Sequence, residues 1–177
     1  MQNETLARRY ATAIFNLAKD AGAVDAIGTG LGRLVQAIYQ NDEVRRFYLS
    51  PVFERQKKSD ALLAAFDGKV SEIALHALLL LVRKRRESLL PTIATEYEKI
   101  ALAAAGKEPL EIVSARDLSK GDLAAILARL EKSYGKQFAL TQRTDPALIG
   151  GLRITMSDRR IDGTLAARFD ELARDLT

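Results

Sequence analysis

A reaction centre needs side chains that bind, ionise or attack, and this chain has few that spacing could bring together. It contains no cysteine and one histidine, His76. That removes thiolate nucleophiles, disulfides and zinc sites built from Cys or His clusters, while leaving the redox compartment open. His76 interrupts an apolar run with no Ser, Asp or Glu placed beside it, and so reads as a core or rim histidine with one hydrogen-bond partner. The cluster GTGLG, Gly28–Gly32, has the look of a phosphate-cradling loop. The dinucleotide fingerprint, however, needs glycine where Arg33 stands and a strand just before it, and helical spacing surrounds this cluster instead. Its glycines are expected to serve tight helix packing beside Gly28 and Gly32. The run Arg83–Arg86 could hold a phosphate, but cations also suit the last turn of a helix. The carboxylates are scattered among basic residues at helix ends and turns, and no P-loop is present. These residues therefore point to no catalytic residue, no cofactor and no metal.

The elements around these residues describe a binding protein. In 177 residues, 47% are apolar and 28% charged, enough for a buried core in one or two domains. The net charge is +4 from 27 basic and 23 acidic residues, interspersed rather than blocked. Such a surface is mildly basic and is not by itself a nucleic-acid footprint. The start MQNETLARRY does not read as a signal peptide. The longest apolar run, Ile73–Val82, is about half the ~20 residues needed to span a bilayer.

Helical periodicity dominates the first part. Leu6, Tyr10, Ala13, Ile14 and Leu17 share one face of a helix over residues 5–21, and Ala7, Ala11, Phe15 and Ala18 widen it. A helix docks on its core with an apolar stripe of about 100°, and this arc is broader. Either several neighbours surround the helix or part of the arc receives a partner helix. A second helix follows Gly22. Asp42 is expected to cap a short third helix, Ser50-Pro51 to open a fourth, Ser71 to cap a fifth and Ser88 to cap a sixth. The fifth is apolar nearly all round from Ile73 to Val82, which predicts enclosure at the bundle centre.

AAAGKEP, Ala103–Pro109, breaks the helical pattern and places a domain boundary between residues 105 and 106. Beyond it, alternation predicts a strand around Leu110–Val113, then a helix capped by Ser119 with Asp122 and stopped by Gly135, then a strand over residues 137–143. The stretch IGGLRITMSDRRIDGTLAARF, Ile149–Phe169, adds a glycine turn at Gly150-Gly151, a strand alternating at Leu152, Ile154 and Met156, a polar turn, and a helix N-capped by Asp162. The fold class is thus mainly α: an N-terminal six-helix bundle, residues 1–105, followed by a small α+β domain, residues 106–177, in the order strand-helix-strand-strand-helix. Two function classes fit it. One is an interaction protein; the other is an RNA-binding or adaptor module with a KH-like domain, against which stand the missing G-x-x-G loop and the 6% aromatic content.

Two separated motifs choose between them. IGGLRI followed by IDGT, with Gly150, Gly151, Asp162, Gly163 and Thr164, resembles the C-terminal signature of the ATP synthase delta subunit family, which includes the mitochondrial oligomycin-sensitivity-conferring protein. ARRYATAIFNLA, Ala7–Ala18, is similar to that family's opening helix. Thr164 stands where relatives often carry Ser, keeping the hydroxyl.

The resemblance implies a non-catalytic stator connector of a rotary F-type ATP synthase. Its N-terminal domain would take up the N-terminal helix of the alpha subunit, and its C-terminal domain would hold the peripheral-stalk b subunits. On that basis the partner-binding residues are Ala7, Tyr10, Ala11, Ala13, Ile14, Leu80 and Leu81. The resemblance further implies no nucleic-acid partner, and a location on the cytoplasmic side of the bacterial inner membrane, held there only through partners.

Overall fold

The computed structural model describes residues 2–156, 159–165 and 167. The chain divides into two compact units, Met1–Ala101 and Leu102–Thr177. The division falls in the last turn of a helix rather than after Ala105.

The first unit contains α1 (Gln2–Asp20), α2 (Val24–Tyr39), α3 (Asp42–Leu49), α4 (Arg55–Phe66) and α5 (Glu72–Arg83). A 3-10 turn (Glu87–Leu89) then leads into α6 (Leu90–Ala104). Several helix starts differ from expectation, each for a local reason. The cap of α3 is Asn41, whose Oδ1 accepts from the N–H groups of Glu43 and Val44 at 2.9 and 3.3 Å. Pro51 opens no helix, because residues 51–53 form a bend and α4 starts only at Arg55. Ser88 lies inside the 3-10 turn instead of capping α6. Ser71 does cap α5, its Oγ accepting from the Ala74 N–H.

Close packing in this unit depends on small residues. Ala7, Ala11 and Ala18 of α1 are fully buried. On α2 a Cβ at Gly28 would stand 3.2 Å from the Tyr97 ring, and one at Gly30 would stand 3.2 Å from the Ala74 methyl. The close approaches are therefore at Gly28 and Gly30, whereas Gly32 has open space beside it. Tyr97 fits into the gap beside Gly28, meets the Phe15 ring edge-on at 6.0 Å, and donates its hydroxyl to the Val24 carbonyl at 2.9 Å.

Two buried polar groups sit near α4. Lys58 is enclosed, and its Nζ donates to the Tyr48 carbonyl at 2.7 Å and to Glu87 Oε1 at 3.0 Å. The Tyr48 hydroxyl is buried and has no hydrogen-bond partner among the described residues, and desolvation raises its ionisation well above the usual tyrosine range. An unmade buried hydrogen bond costs ~1–3 kcal/mol. Tyr48→Phe removes the orphan without opening a cavity, so thermal unfolding is expected to show unchanged or slightly raised stability. A fall of more than ~1 kcal/mol would show that the hydroxyl is satisfied after all.

The second unit is a four-stranded sheet in the order β2-β1-β3-β4, formed by β1 (Lys107–Ser114), β2 (Gln137–Thr144), β3 (Leu152–Met156) and β4 (Arg160–Asp162). Between the first two strands runs α7 (Lys120–Tyr134), a crossover that lets β1 and β2 pair in parallel. Ser119 Oγ caps α7 by accepting from the Asp122 N–H at 3.2 Å, and Gly135 ends it in the left-handed region at φ 65°. β1 pairs antiparallel with β3, placing Leu110 opposite Met156 and Ile112 opposite Ile154. Leu110, Ile112, Phe138 and Met156 form the buried core, against Leu123, Ile126, Leu127 and Leu130 of α7. Among the described residues there are thus seven α-helices, six of them in the first unit.

The fourth strand is a departure from the expected order. Arg160, which the sequence places in a polar turn, pairs with Thr155, and Ile161 pairs with Ile154 while staying exposed rather than returning to the core. Leu165 and Ala167 are helical. The rest of the expected final helix, with Phe169, Leu172, Ala173 and Leu176, lies outside the described residues.

Candidate partner-binding groove

The broad apolar arc of α1 is only partly covered. Between α1 and α5 lies a cavity of about 260 Å³, with walls made by Tyr10, Ala13, Ile14 and Leu17 on one side and Ile73, Ala77, Leu80 and Leu81 on the other. Leu31, Leu90 and Ile93 reach its floor. Leu17 is 57% exposed and Leu80 40%, a large apolar exposure for neighbouring helices of one small bundle. Small-molecule sites are usually ~300–1,000 Å³ with a few convergent polar groups. This groove is slightly smaller, and Tyr10 and His76 are the two polar side chains among its lining residues. Its shape and chemistry suit a row of apolar side chains from an amphipathic helix.

Of the residues assigned from sequence, Tyr10, Ala13, Ile14, Leu80 and Leu81 line this groove. Ala7 and Ala11 do not. Both are completely buried against the other helices, so the half of the arc that carries them is internal core and cannot touch a partner. The apolar circumference of α5 is divided in the same way. Leu75, Leu78 and Val82 are buried, while the stripe Ile73, Ala77, Leu80 opens onto the groove, so α5 is not enclosed on all sides. Leu17, Ile73 and Ala77 were missed, although each continues a stripe already recognised: Leu17 follows Ala13 by four residues, and Ile73 and Ala77 precede Leu80 by seven and three.

His76 is exposed on the groove rim rather than in the core. Arg83 ends the last turn of α5, and it, Lys84 and Arg85 are exposed. Arg86 turns back so that its guanidinium lies 5.9 Å from the centre of the Tyr10 ring, a cation–π distance.

The glycine signature in the second unit is built for close backbone approach. Gly151 has φ 83°, and a Cβ there would collide with the Gly163 carbonyl oxygen and stand 2.8 Å from Thr164 Cα. The Gly163 N–H donates to the Leu152 carbonyl at 2.9 Å, and the Leu165 N–H donates to the Gly150 carbonyl at 3.0 Å. The helix cap is Thr164, whose Oγ1 accepts from the Ala167 N–H at 3.2 Å. Asp162 ends β4 and is not the cap. Its Oδ1 accepts from the Thr164 hydroxyl and N–H at 2.7 and 3.1 Å, and its Oδ2 accepts from Arg153 Nε at 2.9 Å.

These hydrogen bonds, with Thr164 foremost and Arg153 second, lower the Asp162 pKa from 3.8 to about 2. The signature is therefore a structural latch, and its stabilisation is complete above pH ~3.8 and lost as pH falls through ~2. Acid melts of the wild type and Asp162→Asn should converge between these limits, because Asn keeps an acceptor but carries no charge to lose. Parallel acid profiles would contradict the assignment.

A six-helix bundle that opens an apolar groove, followed by a small α+β unit, has the form of a non-covalent binding module. Comparison with known proteins supplies the family. The ATP synthase delta (OSCP) subunit family model matches residues 6–176. The chain is 31% identical to ATP synthase subunit delta of Syntrophomonas wolfei, covering 99% of this chain and 97% of that one. It is 34% identical to the subunit delta of Symbiobacterium thermophilum, covering 96% and 91%. A chain of the Toxoplasma gondii mitochondrial ATP synthase hexamer superposes with a TM-score of 0.69 at 25% identity, over 97% of each chain. The chain belongs to the ATP synthase delta (OSCP) subunit family.

Proposed function

We propose that this chain is the non-catalytic stator connector of a rotary F-type ATP synthase. The first unit receives the N-terminal helix of an alpha subunit of the catalytic head in the groove between α1 and α5. The second unit holds the distal end of the peripheral-stalk b subunits. Joined in this way, the head cannot turn with the central rotor, and torque is converted to ATP synthesis. The observation that carries this reading is the open groove itself: exposed Leu17 and Leu80 over a floor of Leu31, Leu90 and Ile93, in a chain of this family. No helix among the described residues is long and apolar enough to cross a membrane. Attachment at the cytoplasmic face of a bacterial membrane then runs through the partner subunits. Calorimetric titration of the full chain with a synthetic peptide of the alpha-subunit N-terminus should give saturable binding at micromolar concentration or tighter. A flat titration overturns the reading.

A further inference from the structure

The fold divides the basic run 83–86. Arg86 lies over Tyr10, whereas Arg85 lines a second cavity of about 250 Å³ that shares no lining residue with the groove. Arg55 and Lys58 of α4 join Arg85 there, against one carboxylate, Glu87. Three cations less one carboxylate leave the lining with a net charge of +2. Leu49 and Phe53 give the cavity an apolar wall.

Two of the cations are anchored by hydrogen bonds. Lys58 is 2% exposed, and its Nζ gives two of its three donors to the Tyr48 carbonyl and Glu87 Oε1. The third has no acceptor among the described residues. Arg55 Nη1 donates to the Arg83 carbonyl at 3.1 Å, which holds its guanidinium at the C-terminal end of α5. Neither Arg55 nor Arg85 forms an ion pair with another described residue.

Arg85 also sits in a backbone conformation that folding alone would not give to an arginine. Its φ is 54°, in the left-handed region. The Arg85 N–H donates to the Val82 carbonyl at 3.1 Å and the Arg86 N–H to the Leu81 carbonyl at 2.9 Å. These paired bonds close a helix through a left-handed residue, a position that glycine usually fills because it has no Cβ to strain. An arginine kept there against its own backbone preference points to a use for the side chain.

We propose that this cavity binds a phosphate dianion, either free or as the head of a phosphate monoester whose organic part rests on Phe53. Two planar guanidinium forks and a buried ammonium match the double charge and several acceptor oxygens of such a group. A carboxylate, with one charge and two oxygens, would satisfy only one fork. The cavity is smaller than the ~300 Å³ at which sites for whole drug-sized ligands begin, so it accepts the head group alone. Binding here does not depend on an occupant of the groove.

The test titrates the full-length, isotopically labelled chain with sodium phosphate, phenyl phosphate and acetate at constant ionic strength. A pH of ~7.5 keeps a monoester mostly dianionic, since its second pKa is about 6. The Arg85 and Ser88 amide signals should shift saturably, with a Kd of about 1 mM or tighter for at least one of the two phosphates. Phenyl phosphate binding at least about fivefold tighter, with the advantage lost in Phe53→Ala, identifies a monoester as the ligand, and equal affinities identify free phosphate. Arg85→Gly should abolish saturation while leaving the thermal midpoint unchanged or raised, because glycine relieves the left-handed strain. Lys84→Gln removes an exposed neighbouring cation that does not line the cavity, and should change affinity less than about twofold. A merely linear response to both phosphates, or wild-type affinity in Arg85→Gly, overturns the proposal. Acetate binding as tightly as phosphate also overturns it, in favour of a carboxylate-bearing partner.

Discussion

Ala13→Asp should weaken binding of the alpha-subunit peptide at least about 30-fold. Ala13 is exposed in the free chain and lies on the groove wall between Tyr10 and Leu17. Its methyl group lets a partner helix approach closely, and a carboxylate there would be desolvated under the partner, with Arg9 one turn earlier on the exposed rim as the nearest cation of α1. A buried unpaired charge costs more than the ~2 kcal/mol that defines an interface hot spot, and 2 kcal/mol alone is roughly a 30-fold change in affinity. Folding should be nearly untouched, since the side chain is already in water. The control is Asn16→Asp, exposed and absent from the groove lining, which should leave affinity within about twofold. Titrations and thermal melts of both variants separate the outcomes. Unchanged affinity for Ala13→Asp rejects the groove, and a collapsed melt would mean that Ala13 is core.

Gly151→Val should produce the largest loss of stability of any single substitution in the signature. At φ 83° an L side chain is strained by ~1–3 kcal/mol before it touches anything. Here it would also collide with backbone, the Gly163 carbonyl and Thr164 Cα, in the segment that hydrogen-bonds back to Leu152 and Gly150. Backbone pinned on both sides cannot yield as the end of a flexible side chain could. A loss of about 3 kcal/mol or more is expected, a large share of the ~5–15 kcal/mol of a native domain. For a unit of this size that is a fall of roughly 12–24 °C in midpoint. Amide exchange should accelerate in β1 and β3 while α2 and α5 keep their protection. A melt within about 3 °C of the wild type would show that the turn rearranges freely.

Much of this architecture is written in local pattern. Ser71 and Ser119 cap the helices they precede, and Gly135 stops α7, because each acts through hydrogen bonds or dihedral angles within a few residues. The apolar stripes of α1 and α5 were equally plain. What local pattern could not give is which side of a wide arc meets protein and which meets water. Ala7 and Ala11 carry the same methyl group as Ala13, yet the first two are core and the third is groove wall, a distinction made by helices distant in sequence. The short strand β4 was invisible for a related reason. Arg160, Ile161 and Asp162 have no alternation of their own and are held extended by pairing with β3 and by the Arg153–Asp162 ion pair. Asp162 and Thr164 were both legible as polar residues at a helix start, but which one caps is decided by the turn between them.

The antiparallel course of α1 and α5, with Arg86 just past α5 lying over Tyr10 while Leu17 and Ile73 line the same groove, has a further consequence. The peptide dipoles of the two helices point in opposite directions and largely cancel along the groove, so its backbone presents little net field to anything that lies in it. Recognition there would rest on the shape and apolar surface of exposed side chains such as Leu17 and Leu80, which can be exchanged for other apolar side chains while the buried faces of both helices keep the fold intact.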